Sequence, residues 1–269
     1  MANLALQSAA TGLSALNTKL DVISNNLANV NTTGFKASRA NFQDLLYIER
    51  AAPGTENAIG DKRPTGLYVG LGVQVSGTQN DFSQGSLLNT NRDLDVAIEG
   101  IGFFKVKVED TTGPNGIAYT RAGNFSKNAD GELVLANDTG RRLEPLIKIP
   151  DDASSIRIGS DGKVTVVRPG VATPEEVGQL QLTAFVNPAG LKSVGENLWV
   201  ETAASGSPLE GAPGTDNRGN LKQSVLEASN VDPTFELVEM IRTQRSFEMN
   251  SNSIRAADAT LQAIAQLRR

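Results

Sequence analysis

Residues 6–30 read LQSAATGLSALNTKLDVISNNLANV, and the spacing of their apolar side chains determines the structure predicted for the N-terminus. The apolar positions alternate at intervals of three and four residues: Leu6, Ala9, Leu13, Leu16, Leu20, Ile23, Leu27 and Val30. This heptad spacing is typical of the seam of a coiled coil. It predicts one helix that ends near Asn31, because Gly34 can take the left-handed conformation that often follows a helix.

A second heptad stripe lies at the C-terminus. Asp232 followed by Pro233 predicts a helix start, because Asp is a good N-cap and Pro suits the first helical position. The stripe consists of Met240, Phe247, Ile254, Ala257, Leu261 and Ile264, and it is interrupted by Thr243 and Asn250. No Gly or Pro occurs between Thr234 and Arg269. One helix of about 36 residues, roughly 50 Å long, is therefore predicted.

The two stripes favour pairing of the chain ends. Either helix alone could simply pack on the core of its own domain, but two such seams in one chain can face each other as an intramolecular coiled coil. A two-helix hairpin leaves one flank of each stripe uncovered, so we expect it to bind further copies and to become ordered on assembly. The residues predicted to carry self-assembly are Leu6, Leu13, Leu16, Leu20, Ile23, Leu27, Val30, Met240, Phe247, Ile254, Leu261 and Ile264.

The middle of the chain has the pattern of β-structure. Short runs rich in β-branched and aromatic residues are predicted as strands: Leu67–Val75, Leu94–Ile98, Phe103–Val108, Glu132–Leu135, Lys163–Val167, Leu180–Val186 and Asn197–Glu201. Asp130-Gly131 and Asp161-Gly162 are strong hairpin signals. The fold class is therefore α+β, with paired terminal helices and an all-β central domain.

The sequence predicts four segments. They are an N-terminal coiled-coil helix in residues 1–35, a connecting segment in 36–66, a central β domain in 67–228 and a C-terminal coiled-coil helix in 229–269. The connecting segment contains a stretch from Glu49 to Pro64 that is rich in Ala, Gly, Pro and charge. That composition fits a loose linker and an extended hairpin equally well.

Composition excludes several classes of function. The chain of 269 residues contains no His and no Cys, which removes Ser-His-Asp and Cys-His catalysis, ordinary zinc sites and disulfides. A net charge of −5 with scattered basic residues argues against nucleic acid as a partner. No apolar run is long enough for a membrane helix, and the N-terminus lacks the pattern of a secretory signal, so composition alone predicts a cytoplasmic protein.

The motifs that could carry chemistry are weak. Gly70-Leu-Gly72 and Gly100-Ile-Gly102 do not complete a dinucleotide-binding loop, and close packing explains these glycines better. The run Ser126–Gly131 resembles part of a calcium loop but lacks the final Glu, so a hairpin is predicted. A hydrolase that uses carboxylates would need two of them in one cleft. The sequence offers two acidic clusters as candidates: one is Asp93, Asp95 and Glu99, and the other is Glu175 and Glu176. We expect no catalysis, no cofactor and no metal.

Four blocks of the sequence resemble one protein family in order along the chain. They are SNNLANVNTTGFK at 24–36, DVAIEGIGFF at 95–104, YTRAGNF at 119–125, and SNVD at 229–232 with ELVEMI at 236–241 and QRSFE at 244–248. These blocks are similar to the signatures of flagellar basal-body rod and hook proteins, and the likeness spans nearly the whole chain. The residues that match the N-terminal motif of the family are Asn25, Asn26, Asn29, Gly34, Phe35 and Lys36.

The resemblance implies a structural role in the bacterial flagellum. It implies export without a cleaved signal peptide, which replaces the cytoplasmic expectation, and helical polymerisation into a rod that crosses the periplasm. The implied partners are other copies of the chain, other rod subunits, the hook protein and the surrounding L/P-ring bushing, with no nucleic acid and no direct membrane insertion. A surface adhesin stalk built from coiled coil and β domains is the alternative from another class.

Overall fold

The computed structural model describes residues 2–56, 61–109, 113–170 and 173–267. Two compact units are built from discontinuous segments. The helical unit contains the described residues of 1–28, 38–79 and 232–269. The β unit contains those of 29–37 and 80–231.

The helical unit consists of two long helices and four strands. Its elements are α1 (Ala2–Ala28), β1 (Ser38–Asp44), β2 (Tyr47–Ala51), β3 (Leu67–Gly70), β4 (Val73–Asn80) and α2 (Pro233–Leu267). The helices pack together, β1 pairs with β4, and β2 pairs antiparallel with β3. The prediction of two terminal helices that contact each other is confirmed.

Helix α1 ends earlier than the sequence predicted. Its last residue is Ala28 rather than a residue near Asn31, and Val30 therefore lies outside the helix. The N–H of Thr32 donates to the carbonyl of Asn29 at 3.1 Å, so a tight turn replaces the last helical turn. Gly34 does take the left-handed conformation, with φ of 70°, but in a segment that belongs to the β unit.

Helix α2 begins where the sequence predicted. Oδ1 of Asp232 accepts the N–H groups of Thr234 at 2.8 Å and Phe235 at 3.2 Å, which satisfies two of the free donors of the first turn. Pro233 occupies the first helical position, and Glu236 adds negative charge to the first turn, where the helix dipole favours it.

The region from Leu67 to Val75 forms two strands, so the prediction of a single strand there is wrong. The break falls at Leu71 and Gly72, and Gly72 has φ of 119°, a conformation that interrupts a regular strand. Strand β3 returns along β2 with Tyr47 opposite Gly70. Strands β2 and β3 therefore form a hairpin that encloses the stretch from Glu49 to Pro64, of which residues 57–60 lie outside the described residues.

The β unit contains sixteen short strands in the described residues. They are β5 (Leu87–Asn89), β6 (Val96–Glu99), β7 (Phe104–Lys107), β8 (Ile117–Thr120), β9 (Phe125–Lys127), β10 (Leu133–Leu135), β11 (Leu143–Glu144), β12 (Ser155–Ile158), β13 (Lys163–Val167), β14 (Glu175–Gln179), β15 (Leu182–Ala184), β16 (Lys192–Gly195), β17 (Leu198–Val200), β18 (Leu209–Gly211), β19 (Asn220–Gln223) and β20 (Val225–Glu227). The largest sheet has the order β11-β7-β8-β17-β16, and a second has the order β12-β13-β14. The remaining strands form two-stranded pairs, which include β20 with β5 and β19 with β6.

Local signals located six of these sixteen strands. Strand β13 has the predicted bounds, and Val164 and Val166 are buried on either side of the less buried Thr165. Both Asp-Gly hairpins are confirmed, since Gly131 separates β9 from β10 and Gly162 separates β12 from β13, each with positive φ. Strands β7, β10, β15 and β17 are shorter than predicted by one to four residues, because only part of each run joins a ladder. Strand β6 begins two residues later than predicted and ends one residue later, at Glu99.

The core of the β unit is apolar and closed. The side chains with no exposed surface include Val96, Ile98, Phe104, Phe125, Leu133, Val164, Leu180 and Leu182. A second cluster is aromatic, with Phe103, Tyr119, Phe185 and Trp199 in edge-to-face contacts. Over the described residues, no helix combines the length and the apolar character that a membrane crossing requires.

Candidate assembly surface

Several contacts between the two helices are made by polar side chains. Lys19 Nζ lies 2.8 Å from Glu239 Oε2, and Asn26 Nδ2 donates to Glu236 Oε1 at 2.9 Å. Further along the pair, Asn250 Nδ2 donates to the carbonyl of Ala9 at 3.0 Å. These partners run in opposite directions along the two helices, so the pair is antiparallel.

Asn26 connects three elements of the helical unit. Its amide Nδ2 also donates to the carbonyl of Ser38 at 2.8 Å, and its Oδ1 accepts the N–H of Ser38 at 2.9 Å. Asn26 therefore ties the end of α1 to the start of β1 and to the first turn of α2. Burial raises the pKa of the Glu236 carboxyl above its usual value, and the hydrogen bond from Asn26 opposes that shift.

The predicted self-assembly residues are mostly half-buried. Ile23 is buried with 4% of its surface exposed. The partly buried members are Leu6, Leu13, Leu16, Leu20, Leu27 and Val30 in the N-terminal set and Met240, Phe247, Ile254 and Leu261 in the C-terminal set. The side chain of Ile264 lies outside the described residues. Their role in assembly stays a prediction.

Helix α2 carries an apolar face that the described structure leaves exposed. The face consists of Phe235, Leu237, Val238, Ile241 and Met249, each with between 41% and 63% of its surface exposed. Four of the five lie within two turns at the start of the helix. Large apolar residues clustered in this way on a soluble protein mark a surface that contacts another molecule.

The β2–β3 hairpin is a second exposed apolar surface of the helical unit. Its exposed large side chains are Leu46, Tyr47, Ile48, Leu67 and Tyr68, of which Leu46 is 82% exposed. A two-stranded hairpin has only a marginal stability of its own. Packing against a neighbour would therefore both cover these side chains and order the hairpin.

A buried charge cluster, made of Lys36, Arg121 and Glu227, lies inside the β unit. Lys36 Nζ is 2.6 Å from Glu227 Oε1, and Arg121 Nη1 is 3.2 Å from Glu227 Oε2. Lys36 also donates to the carbonyl of Ser83 at 2.7 Å, and Arg121 to that of Gly100 at 2.7 Å. Burial lowers the pKa of both Lys36 and Arg121, and the negative charge of Glu227 opposes the shift.

This cluster holds the segment that follows α1. The N–H of Gly34 donates to the carbonyl of Glu227 at 2.8 Å, and the N–H of Ala37 donates to Asn230 Oδ1 at 2.7 Å. A Cβ on Gly34 would come within 2.8 Å of the backbone N of Ala122, and its φ is also positive, so only glycine fits. The residue types of the N-terminal motif thus have physical explanations at Asn26, Gly34 and Lys36.

The other motif residues play smaller parts. Asn29 accepts hydrogen bonds from Thr32 through both its carbonyl and its side chain, Asn25 lies on the exposed side of α1, and Phe35 is partly buried. Sequence reasoning missed Glu227 and Arg121, because their partners lie far along the chain. Arg121 lies in the block at 119–125 and Glu227 lies just before the block at 229–232, both of which resemble flagellar rod and hook proteins. This position was the one indication in the sequence that the two residues matter.

The acidic groups considered for hydrolysis do not converge. Asp95 is buried, while Asp93 is exposed and Glu99 pairs with Lys222 at 2.8 Å. Glu175 pairs with Arg168 at 3.2 Å on a different sheet. Among the described residues there is also no group of three or more acidic, His or Cys side chains suited to a metal ion.

Comparison with known proteins matches this architecture to one family. The flagella basal body rod protein model matches residues 6–36, the flagellar hook protein FlgE/F/G D1 domain matches 97–166, and the flagellar basal body rod FlgEFG protein C-terminal matches 222–267. The first and third matches include most of α1 and α2, and the second lies in the β unit.

Curated relatives match over almost the full chain. The flagellar basal-body rod protein FlgG of Buchnera aphidicola subsp. Schizaphis graminum is 46% identical over 96% of this chain and 96% of its own. FlgG of Agrobacterium fabrum is 46% identical over 94% and 95%, and FlgG of Caulobacter vibrioides is 45% identical over 98% and 99%. The solved hook protein FlgE2 of Helicobacter pylori, at 13% identity, 71% and 56% coverage and a TM-score of 0.25, is too distant to add to this.

The chain belongs to the family of flagellar axial structural proteins that comprises rod and hook subunits. Within that family it is a flagellar basal-body rod protein of the FlgG type.

Proposed function

We propose that this chain is the structural subunit of the distal rod, which polymerises helically into the shaft that crosses the periplasm and transmits torque to the hook. The proposal rests on the near full-length similarity to FlgG proteins and on the exposed apolar face of α2. It assigns no catalytic role and no cofactor to the chain.

The apolar face of α2 is the observation that carries the proposal. The polar contacts between α1 and α2 leave Val238, Ile241 and their neighbours uncovered within the described structure. A second copy of the same chain is the occupant we propose, because contacts between different patches of identical chains extend into an open helical polymer. In that polymer the paired helices form a coiled coil, as the heptad stripes predict.

The finer assignments belong to the same proposal. Residues 1–35 and 229–269 are the assembling helices, 36–66 is a hairpin that contacts neighbours, and 67–228 is the β domain. The partners are other rod subunits, the hook protein and the L/P-ring bushing, and the subunit reaches the basal body without a cleaved signal peptide. The matched family model also covers FlgF, so a proximal rod subunit is the alternative.

The test changes the apolar face without touching the contacts between α1 and α2. We expect Val238→Glu with Ile241→Glu to keep the helix content and thermal midpoint of the monomer, and to abolish tubes in electron micrographs of concentrated protein. The matched control is Thr234→Glu with Gln244→Glu, which adds the same charge at two exposed polar positions of α2 and should still form tubes.

Two results would contradict the proposal. One is tube formation by the Val238/Ile241 variant at the native concentration, and the other is a native chain that remains monomeric at every concentration. Basal bodies from a strain that lacks the protein separate the distal from the proximal rod, because the rod should then end at a defined length short of the hook.

A further inference from the structure

Three residues of α1 at heptad intervals contact α2. Gly12, Lys19 and Asn26 are seven residues apart, so they lie on the same side of α1. Their partners on α2 are Asn250, Glu239 and Glu236. From the first contact to the last, α1 advances from 12 to 26 and α2 retreats from 250 to 236, the same fourteen residues, or about 21 Å of helix.

The contact between Gly12 and Asn250 depends on the lack of a side chain at Gly12. A Cβ at position 12 would lie 2.5 Å from Nδ2 of Asn250, the atom that donates to the carbonyl of Ala9. Any larger residue would therefore push the amide away from its acceptor. At this position glycine provides the space that one particular asparagine of the other helix fills.

The other two contacts depend on charge and hydrogen bonding. Lys19 and Glu239 form a partly exposed ion pair, and Glu239 is also held by Arg242 at 2.8 Å. Asn26 and Glu236 are both buried, with 2% and 8% of their surfaces exposed. A buried amide or carboxylate that loses its partner is costly, so these groups discriminate strongly between alternative alignments.

One of the two apolar stripes of α1 cannot make that distinction. Leu6, Leu13, Leu20 and Leu27 place the same side chain at every heptad. If α1 slides by one heptad along α2, each leucine takes the place of another, and the contacts of this leucine stripe are restored for most of the length. Contact through the leucines alone therefore permits several alignments.

A slip of one heptad disrupts the polar contacts instead. In one direction Lys19 arrives opposite Asn250, where its side chain would displace the amide, and no helical residue of α1 reaches Glu236. In the other direction Ala5 arrives opposite Asn250 and brings a Cβ into the space of the amide, while Asn26 moves beyond Glu236 and loses its acceptor. Both slips leave at least one buried polar group without its partner.

We infer that Gly12/Asn250, Lys19/Glu239 and Asn26/Glu236, the register contacts, specify a single antiparallel alignment of α1 on α2. Single polar positions in coiled-coil seams act in this way on register and partner choice. The inference rests on the proposed function for its significance, since every copy in a polymer must present the same surface. The register contacts thus determine how α1 aligns on α2, and the apolar face of α2 is the surface that binds the next copy.

The experiment measures the alignment directly. The chain has no Cys, so nitroxide labels can be attached only at cysteines introduced by Asp21→Cys and Asn252→Cys, two exposed positions on α1 and α2. Electron–electron double resonance then gives the distance distribution between labels, in the full-length monomer and in tubes diluted with unlabelled chain. A slip of one heptad shifts one helix by about 10.5 Å along the other.

Variants that remove the register contacts should broaden or split this distribution. We expect one narrow distance in the native chain, and a second population displaced by several ångströms in Asn26→Leu with Glu236→Leu and in Gly12→Ala, while helix content is kept. Lys19→Glu alone should broaden the distribution, and addition of Glu239→Lys should narrow it again. The matched control is Asn17→Leu with Gln244→Leu, which adds leucine at exposed positions and should leave the native distance unchanged.

The outcomes separate this inference from the proposed function. A single unshifted distance in every variant overturns the inference even if tubes form, because the alignment then does not depend on these contacts. A broad distribution for the native chain in every condition also overturns it. If native tubes never form but the label-to-label distances in the monomer change as expected, the inference about the register contacts is supported and the assembly proposal fails.

Discussion

At the scale of single residues, the buried charge cluster contains two cations and one carboxylate. Glu227 accepts hydrogen bonds from Lys36, from Arg121 and from the N–H of Gly85, so its charge is needed by three donors. Removing one cation leaves a matched pair, whereas removing the anion leaves two buried positive charges beside each other. The two changes should therefore have unequal effects on stability.

We predict that Glu227→Gln lowers the free energy of unfolding of the β unit by about 3–5 kcal/mol, the range for breaking a buried ion pair on one side. Lys36→Met should cost less, about 1–3 kcal/mol, because Arg121 still balances Glu227. Urea unfolding measured by tryptophan fluorescence reports the difference, since Trp199 is buried in the β unit.

The control for this comparison is Lys222→Met. Lys222 forms an ion pair of 2.8 Å with Glu99, but both side chains are 47% exposed, so the loss should stay within about 1 kcal/mol. A Lys36→Met variant that is less stable than Glu227→Gln would show that the excess positive charge does not govern the energetics of the cluster.

At the scale of elements, Glu236 and Glu239 on α2 should give opposite pH dependences. Burial raises the pKa of Glu236 above 4.5, so the folded chain takes up a proton there at a pH where the unfolded chain has lost it. Stability from this group therefore falls as pH rises from 4.5 through the raised pKa. Lys19, Glu239 and Asp232 are the charged groups that act on it.

We predict that Glu236→Gln is more stable than the native chain at neutral pH and equal to it near pH 4.5 and below, as followed by helix unfolding in circular dichroism. Glu239→Gln is the opposite case. The hydrogen bond from Lys19 lowers the pKa of Glu239, so its contribution is present above pH 4.5 and lost as pH falls through the lowered pKa. The Gln variant should be less stable than native at neutral pH, and equal stability gains in both variants would contradict this assignment.

The elements also show what the sequence could predict. The start of α2 and the two Asp-Gly hairpins depend on neighbouring residues, and local signals located them correctly. The heptad stripes predicted both helices but not which polar residues lie between them. Thr243 and Asn250 interrupt the apolar stripe in the sequence, whereas in the structure Thr243 is 2% exposed and Asn250 contacts α1.

Long-range contacts explain the remaining gaps. Lys36 and Glu227 are 191 positions apart in the chain, and Asn26 and Glu236 are 210 apart. Nothing near a lysine in sequence indicates that a distant glutamate will bury it. The sequence accordingly predicted a pair of helices as the assembly surface. The polar residues through which the two helices contact each other could be identified only in the structure.

At the scale of the whole molecule, the β2–β3 hairpin predicts a mechanical effect. We infer from the family resemblance that the insertion from Glu49 to Gly66 stiffens the rod. Tyr47 and Tyr68, which flank the insertion in β2 and β3, are exposed and suited to contacts with neighbouring subunits. We predict that deleting this insertion still permits tubes but lowers their bending persistence length in electron micrographs.

A substitution variant provides the control for the deletion. Leu46→Ser with Tyr68→Ser keeps the length of the hairpin and removes two of its exposed apolar side chains. If contacts of these two side chains cause the stiffness, this variant should soften the tubes although residues 49–66 are still present. Deletion tubes as straight as the native ones would rule out a stiffening role.

The chain passes between the helical unit and the β unit four times, at residues 28–29, 37–38, 79–80 and 231–232. Helix α1 therefore has no helical partner until almost the entire polypeptide is available, whichever end is delivered first. The two long helices can therefore pair only after the segments between them have been delivered, so the helical unit is the last part of the subunit to be completed.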